Sequence, residues 1–463
     1  MASSNSAGSG PPAPSRPAAI LALSIGNAVE LYDFTIYSFF ALTIGKLFFP
    51  VQSEFGPLLL ALLTFGIGFV VRPLGGIVIG AYADRVGRKP ALVLTIALMA
   101  LGTLLIGLCP TYAQIGAAAP AVIVVGRILQ GFSTGGEIGV STTMLMELGH
   151  PAGRGLRVSW QMASQGVAAL LGALSGYLLS AHLSADALEA WGWRLPFLAG
   201  LLVVPVGLYL RRLLPETAQP DPGHAVLAEL LVRHRAKLLI GVLMIMGGTA
   251  STYVNIFYMP TYLIRMVGLP PQTAFLTGCV AGATMLAVAP LAGLLSDRLD
   301  RRRPFVVWTA LASALLTYPA FWVLSHVASV PAALAVVGLL IAINAVGAGA
   351  CLLLLLESFP SCVRALGLSI VYSVGVSIFG GFAQFIVTWL ISITGNPISP
   401  SWYVTACALA TVCGASGMCE AQRSRQSSAE RLEIGILVRR ALTVRRIRCS
   451  FSPFPSSLDR DAT

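Results

Sequence analysis

Two short stretches put charge where the surrounding chain has almost none. In GNAVELYDFTIY (26–37), Asn27, Glu30, Asp33 and Tyr37 follow one another at three, three and four residues. That spacing sets all four on one helical face. Two acids one turn apart repel, and burial disfavours the charged form of either. One of them, Asp33 ahead of Glu30, could therefore take up and release a proton near neutral pH; a structural pair hydrogen-bonded to neighbouring helices is the competing reading. In GRILQGFSTGGEIGVS (126–141), Arg127, Gln130, Thr134, Glu137 and Ser141 form a second polar stripe. Arg127 is the best-suited carboxylate clamp, because its planar guanidinium offers two parallel donors and does not deprotonate. An ion pair between Arg127 and a buried acid such as Asp33 or Glu137 is the alternative. The two are compatible, since protonating the acid frees the arginine. Glu137 thus joins Asp33 and Glu30 among the proton-carrying candidates. Arg72, just before Pro73, is a further isolated charge; a gate or helix-cap role competes there with binding.

Neutral polar residues could complete a binding surface. Gln161 and Gln165 form an i,i+4 pair, and GGTASTYVNIFYMP offers Thr249, Thr252, Tyr253, Asn255 and Tyr258. Tyr253 and Asn255, two residues apart, cannot both face one cavity squarely. Asn344, Tyr372 and Gln384 stand out in later apolar runs. Taken singly, each is more simply a hydrogen bond to a neighbouring helix.

Composition says which elements must carry these residues. The chain has 463 residues, 56% hydrophobic and only 11% charged, against roughly 25% charge in a soluble domain. That is the make-up of an integral membrane protein. At that depth an ionisable side chain costs several kcal/mol unless it faces a cavity or a partner, so each is a candidate for function. The 30 Lys+Arg against 19 Asp+Glu give +11. Nucleic-acid binding would need a broad exposed basic surface; here the basic residues cluster between apolar runs, and no nucleic-acid partner is expected. The 8 cysteines include no C-x-x-C pair and lie mostly inside apolar runs, so free buried thiols are expected, with no disulfide frame and no metal site. No Walker loop or G-x-G-x-x-G appears, and no cofactor is expected. GFSTG (131–135) fits G-x-S-x-G, the nucleophile elbow of hydrolases, but that motif needs a strand–turn–helix setting. Here Gly131, Gly135 and Gly139 recur every four residues in an apolar helix, a stripe for close helix packing. An enzyme is not expected.

A membrane helix needs about 20 apolar residues. That ruler predicts an all-α integral membrane fold of twelve spans, near 18–44, 57–81, 90–109, 117–146, 158–180, 195–213, 238–262, 273–295, 304–325, 331–356, 365–394 and 401–418. Links after even-numbered spans carry most of the Lys and Arg, so both termini are expected on the cytoplasmic side. Residues 1–17, rich in Ser, Gly and Pro, are expected to be disordered and without the layout of a cleaved signal peptide. A six-helix half over 18–213 and another over 238–418 flank a cytoplasmic linker at 214–237. After Met418 the composition changes: 419–463 is an arginine-rich tail without lysine. A disordered cytoplasmic tail and a basic amphipathic helix on the inner leaflet are both open for it; a reading-frame change in the gene would produce the same break.

Charge between spans concentrates in GAYADRVGRKP (80–90), and GLLSDRLDRRRP (293–304) repeats its plan. A second pair, Glu147 with Arg154 and Glu357 with Arg364, repeats at nearly the same offset. Two six-span halves repeated in one orientation make a transporter of parallel repeats. The first loop, with Gly80, Asp84, Arg85, Gly87, Arg88 and Lys89, resembles the G-x-x-x-D-R-x-G-R-K signature of the major facilitator superfamily; the second copy has Asp300 where the second glycine belongs. The Asp of such a loop can accept hydrogen bonds from a helix N-terminus and pair with the arginines, tying spans of one half together at the cytoplasmic face. A pairing that breaks on opening is a gate, and Asp297, Arg298, Arg72, Glu147, Arg154, Glu357 and Arg364 are gating candidates with the loop itself.

GNAVELYDF, GRILQGFSTGGEIG, WGWRLPFLAG and ESFPSCVRALGLSIVYSVGVSIFGG are similar to the metabolite:proton symporter branch of that superfamily. FFPVQSEFGPLLLALLTFGIGFVVRPLGG and SPSWY resemble its citrate and tricarballylate symporters. The resemblance implies a monomeric carrier in a bacterial-type inner membrane that imports a carboxylate, citrate or a related tri- or dicarboxylate, on the proton gradient by alternating access. The buried polar positions Arg127, Gln130, Tyr37, Asn27, Gln161, Gln165, Tyr253, Asn255, Asn344 and Tyr372 are the expected substrate surface. A proline, betaine or shikimate symporter of the same branch is the alternative, and a non-transporting membrane sensor a remote one.

Overall fold

The computed structural model describes residues 16–86, 88–135, 137–202, 204–207, 230–232, 234–299, 301–360 and 363–417. Among them the regular structure is helical, without a strand. Most of the expected linker and the whole tail over 419–463 lie outside the described residues.

Among the described residues, nine helices are long and apolar enough to cross a membrane: Pro17–Phe39, Gly56–Ile79, Arg154–His182, Ala185–Gly207, Arg235–Val267, Pro271–Asp297, Arg302–His326, Val330–Ser358 and Arg364–Thr394. They fall where spans 1, 2 and 5 to 11 are expected. Two shorter apolar helices, Val93–Leu108 and Ala118–Ser133, and a helix over 399–417 stand at the places of spans 3, 4 and 12.

Two expected spans are not continuous. Span 2 divides into Gly56–Val70 and Arg72–Val86, because Pro73 has no N–H to continue the ladder. Span 4 divides into Ala118–Ser133 and Glu137–Glu147. The Thr134 hydroxyl donates to the Gln130 carbonyl at 2.7 Å, competing with the helical bond, and two glycines follow. Glycine also serves contact here. A Cβ on Gly131 would collide with the Gly68 carbonyl, and one on Gly135 with the Arg72 carbonyl. The stripe read from the sequence lets span 4 press backbone to backbone on span 2, which carries Arg127 and Arg72 inward together.

The described helices up to Ala415 belong to one compact unit. Within it, the N-terminal and C-terminal helices meet where span 5 lies along span 8. A Cβ on Gly155 would sit 2.6 Å from the Gly293 carbonyl, and one on Gly166 2.6 Å from the Leu286 nitrogen. The order runs oppositely along the two helices, so they are antiparallel. Spans 7 and 11 contain wide π-helical turns at Tyr253–Tyr258 and Ser377–Gly381, a device that often marks functional positions.

Candidate functional site

Two arginines are buried side by side in the N-terminal half. Arg127 is 0% exposed and Arg72 4%. The Arg127 guanidinium lies 4.4 Å from the ring centre of Tyr37, 4.6 Å from Phe34 and 5.0 Å from Phe65. Arg72 lies 4.4 Å from the same Phe34 ring and 4.0 Å from Phe69. Sharing one ring, the two cations can be no further apart than the sum of their distances to it. Cation–π attraction is worth about 2 kcal/mol or more when desolvated, less than the cost of burying a guanidinium. Hydrogen bonds do not make up the rest. Arg127 Nη1 donates to Gln130 Oε1 at 2.9 Å, while its Nε and Nη2, and Nε and Nη2 of Arg72, have no partner. Several unmet donors of like charge in one aromatic cage are what an anion would satisfy.

Asp33, also 0% exposed, is near but does not touch these cations. Its Oδ2 accepts from the Thr103 hydroxyl, and its Oδ1 has no partner. Gly200 of the sixth span gives it room, since a Cβ there would collide with Oδ1. The direct ion pair weighed between Arg127 and Asp33 is not formed: Thr103 and Gln130 stand between them, with Gln130 Nε2 donating to Thr103 Oγ1 at 3.0 Å. Thr103 was missed by sequence reasoning, where it is a lone hydroxyl in an apolar run. Glu30 lies on the same face as Asp33, 9% exposed, with Arg72 in electrostatic reach. The Glu137 side chain lies outside the described residues.

The other expected binding residues separate into two groups. Asn27 and Gln161 are turned on each other: Gln161 Nε2 donates to Asn27 Oδ1 at 2.9 Å, and Asn27 Nδ2 donates to Ser164 Oγ at 2.6 Å. They lock span 1 to span 5 rather than offering free donors. The Tyr37 hydroxyl donates to the Ala61 carbonyl at 3.1 Å, leaving its ring to Arg127. Gln165, Tyr253, Asn344 and Tyr372 do line a common cavity, with about 80 Å³ of accessible space. Gln165 Nε2 donates to the Tyr372 hydroxyl at 3.1 Å across the two halves, and Asn344 Nδ2 donates to Thr252 Oγ1 at 2.7 Å. Asn255 turns away, donating to Ser251 Oγ at 3.0 Å, so of the two span-7 candidates only Tyr253 faces the cavity. Tyr253 also packs edge-on against Phe69 at 5.6 Å between ring centres. It is the wall between the arginine cage and the cavity.

Contacts between the halves close both ends of this region. At one end, the Asp297 carboxylate accepts from the backbone N–H groups of Gly155 at 2.6 Å and Leu156 at 2.9 Å. These open the helix that starts at Arg154, where the dipole favours an anion. Asp297 therefore ties span 8 of one half to span 5 of the other, which corrects the expectation that such an Asp joins spans within one half. The reason is the antiparallel crossing of spans 5 and 8, which brings the end of one to the start of the other. Nearby, Glu147 pairs with Arg364 across the halves at 3.8 Å, whereas Glu357 pairs with Arg302 in its own half at 2.9 Å. Arg298 is exposed at the end of its helix. In the first loop, Gly80 is helical; Gly87 and the side chains of Asp84, Arg85, Arg88 and Lys89 lie outside the described residues. At the opposite end, Arg265 lies 3.6 Å from the Glu54 carboxylate and stacks on Phe55 at 4.5 Å. Between the ends, Ser38 donates to Gln384 at 2.8 Å and Ser377 to the Phe69 carbonyl at 2.7 Å.

Helical spans in two halves around a closed central site define a membrane carrier, and comparison with known proteins agrees. The family model described as Major Facilitator Superfamily matches residues 23–298, and that described as Sugar (and other) transporter matches 221–430. The chain is 38% identical to a citrate-proton symporter of Klebsiella pneumoniae over 407 residues, 87% of this chain and 90% of that one. It is 35% identical to the alpha-ketoglutarate permease of Escherichia coli K12, over 84% of this chain and 91% of that one. It is 33% identical to a putative proline/betaine transporter of Staphylococcus aureus, over 84% of each chain. Among solved structures, a D-xylose-proton symporter superposes with a TM-score of 0.69 at 21% identity, covering 87% of this chain and 96% of that one, a likeness of fold. The chain belongs to the major facilitator superfamily and is a multi-pass membrane protein.

Proposed function

We propose that this protein is a proton-coupled symporter that imports a carboxylate, citrate or a related tri- or dicarboxylate, across a bacterial-type inner membrane by alternating access. The observation that carries the reading is the pair of buried guanidiniums, Arg72 and Arg127, whose donors are unmet inside one aromatic cage. Two adjacent cations suit a ligand with two or more carboxylates. A zwitterion such as proline or betaine brings one carboxylate with its own cation, and would leave one arginine uncompensated; this weighs against the reading suggested by the proline/betaine relative.

In this scheme Arg127 and Arg72 hold carboxylates, with Tyr37 and Gln130 orienting Arg127. Gln165, Tyr253, Asn344 and Tyr372 contact the rest of the substrate from the cavity. Asp33 carries the proton, with Glu30 one turn away. The gradient is the driving force, without a cofactor, and the carrier works as a monomer with both termini cytoplasmic. The Asp297 and Glu147–Arg364 contacts form the cytoplasmic gate, and the Glu54–Arg265 contact the opposite one. Each gate must break in turn for the central site to open to one side.

The test is radiolabelled citrate uptake into proteoliposomes, with and without an inward acid pH gradient. Accumulation driven by the gradient and abolished by an uncoupler is expected. Citrate entry indifferent to the gradient would remove the proton from the mechanism. Competition by betaine or proline, and none by citrate or 2-oxoglutarate, would replace the carboxylate reading with the zwitterion one.

A further inference from the structure

Three bonds connect the buried acid to the buried arginine, and all point one way. Arg127 Nη1 donates to Gln130 Oε1 at 2.9 Å, Gln130 Nε2 donates to Thr103 Oγ1 at 3.0 Å, and the Thr103 hydroxyl donates to Asp33 Oδ2. Donation thus runs from cation to anion through spans 4, 3 and 1. Thr103 Oγ1 has a second acceptor in reach, the Met99 carbonyl at 3.0 Å. A hydroxyl has one proton and can serve only one of the two at a time. All four side chains of the chain are buried, Asp33, Thr103, Gln130 and Arg127 each at 0% exposure, so water does not supply a substitute donor. The Thr103 methyl faces Gly200, 3.6 Å from where a Cβ would stand, which helps hold the side chain at its post.

We infer that Thr103 is the positioning residue that couples the proton to the substrate: its hydroxyl turns between Asp33 and the Met99 carbonyl as Asp33 loses and gains a proton, and so sets how strongly Arg127 binds a carboxylate. This rests on the carboxylate-symporter reading and deepens it. With Asp33 charged, the chain is polarised from Arg127 to the anion, and part of the arginine's charge is already compensated. When Asp33 takes up a proton, its new O–H donates to Thr103 Oγ1. The Thr103 proton swings to the Met99 carbonyl, and Gln130 still donates to the same oxygen. One O–H bond forms on Asp33 and no other covalent bond changes. The chain now ends on a neutral backbone group, Arg127 has no anion to answer it, and a substrate carboxylate takes that place. Proton and substrate then favour each other's binding by the same factor, as linkage requires. The charged and titratable groups about Asp33 are Arg127 from span 4 and Tyr32 from its own helix, with Glu30 one turn away. Span 3 faces it with Thr103 and span 6 with Gly200.

Thr103→Val keeps the shape and removes the hydroxyl, and Thr103→Ser keeps the hydroxyl. Both are compared with the unaltered protein in proteoliposomes, by citrate exchange at equal pH, by gradient-driven accumulation, and by citrate affinity as a function of pH. T103V is expected to retain exchange while losing accumulation and its pH-dependent gain in affinity, a change on the order of tenfold for a coupling of ordinary size. T103S is expected to keep both. A T103V protein with the parental pH profile and full accumulation overturns the proposal. So does one that loses exchange and accumulation alike with unchanged thermal stability, since the hydroxyl would then serve binding and not coupling. An unaltered protein that exchanges no carboxylate overturns this inference together with the functional reading, whereas a failure confined to the variants' profiles overturns the inference alone.

Discussion

The two halves of the carrier bring different chemistry to the two sides of Tyr253. The N-terminal half supplies the buried charge: Arg72, Arg127, Asp33 and Glu30 are all at or below 9% exposure. The C-terminal half lines the adjoining cavity with hydroxyls and amides, from Thr249, Thr252, Tyr253, Asn344 and Tyr372. The backbone differs too: spans 2 and 4 are divided, whereas spans 7 and 11 carry π-helical turns. Under the proposed function this would separate tasks: charge selection and proton handling in one half, shape and neutral contacts in the other. Tyr253 stands where the two environments meet.

The comparison is broken most directly by removing the charge. Arg127→Ala is expected to lower the initial rate of citrate uptake by on the order of a hundredfold or more, the usual cost of losing a charge-assisted contact in a dry site, with the protein still inserted in the membrane. Undiminished uptake would move the anion site out of the N-terminal half. Asp33→Asn is expected to abolish accumulation against a gradient while sparing exchange, and to flatten the pH dependence of citrate binding; retention of gradient-driven accumulation would pass the proton to Glu30 or elsewhere. On the neutral side, Asn344→Ala or Tyr253→Phe removes one uncharged polar group lining the cavity, and a neutral hydrogen bond from it to substrate would be worth about 1 kcal/mol. Each should raise the citrate KM severalfold and alter preference among carboxylates without uncoupling. If either uncouples transport, the division between the halves fails. The smallest effects belong to the ends. Asp297→Asn weakens a charge-assisted cap worth about 0.5–2 kcal/mol, and should shift the balance of facing states, read as faster cysteine labelling from the cytoplasmic side. Glu147→Gln removes a half-exposed pair worth at most about 1 kcal/mol and should change the same readout less.

Much of this division could be read from the chain. Charges in an apolar background are conspicuous because burial is costly, so Asp33, Arg127 and Arg72 identify themselves without a structure. Asn27 and Gln161 look equally conspicuous, yet they answer each other across two spans. Polarity marks a residue as needing a partner and does not say whether that partner is a ligand or another helix. Thr103 shows the converse. A single hydroxyl between apolar neighbours is ordinary in a membrane helix, and only its place between Asp33 and Gln130 gives it a role. Most of the cage around the arginines was equally hidden: Tyr37 stands out by its place on the polar face, but Phe34, Phe65 and Phe69 are unexceptional apolar residues until two helices bring them to the same guanidiniums.

By itself, the amino-acid order determined the membrane-spanning class, the places of the apolar helices and the few charges that must face inward, because hydropathy, spacing and the cost of burying charge act locally along the chain. Only the tertiary structure decided which inward residues meet: that Thr103 and Gln130 intervene between Asp33 and Arg127, that Tyr253 and not Asn255 faces the cavity, and that Asp297 caps a helix of the opposite half. Those outcomes depend on how distant helices cross, and close backbone contact at glycines such as Gly131 and Gly155 sets the crossings with a tolerance that no local pattern encodes.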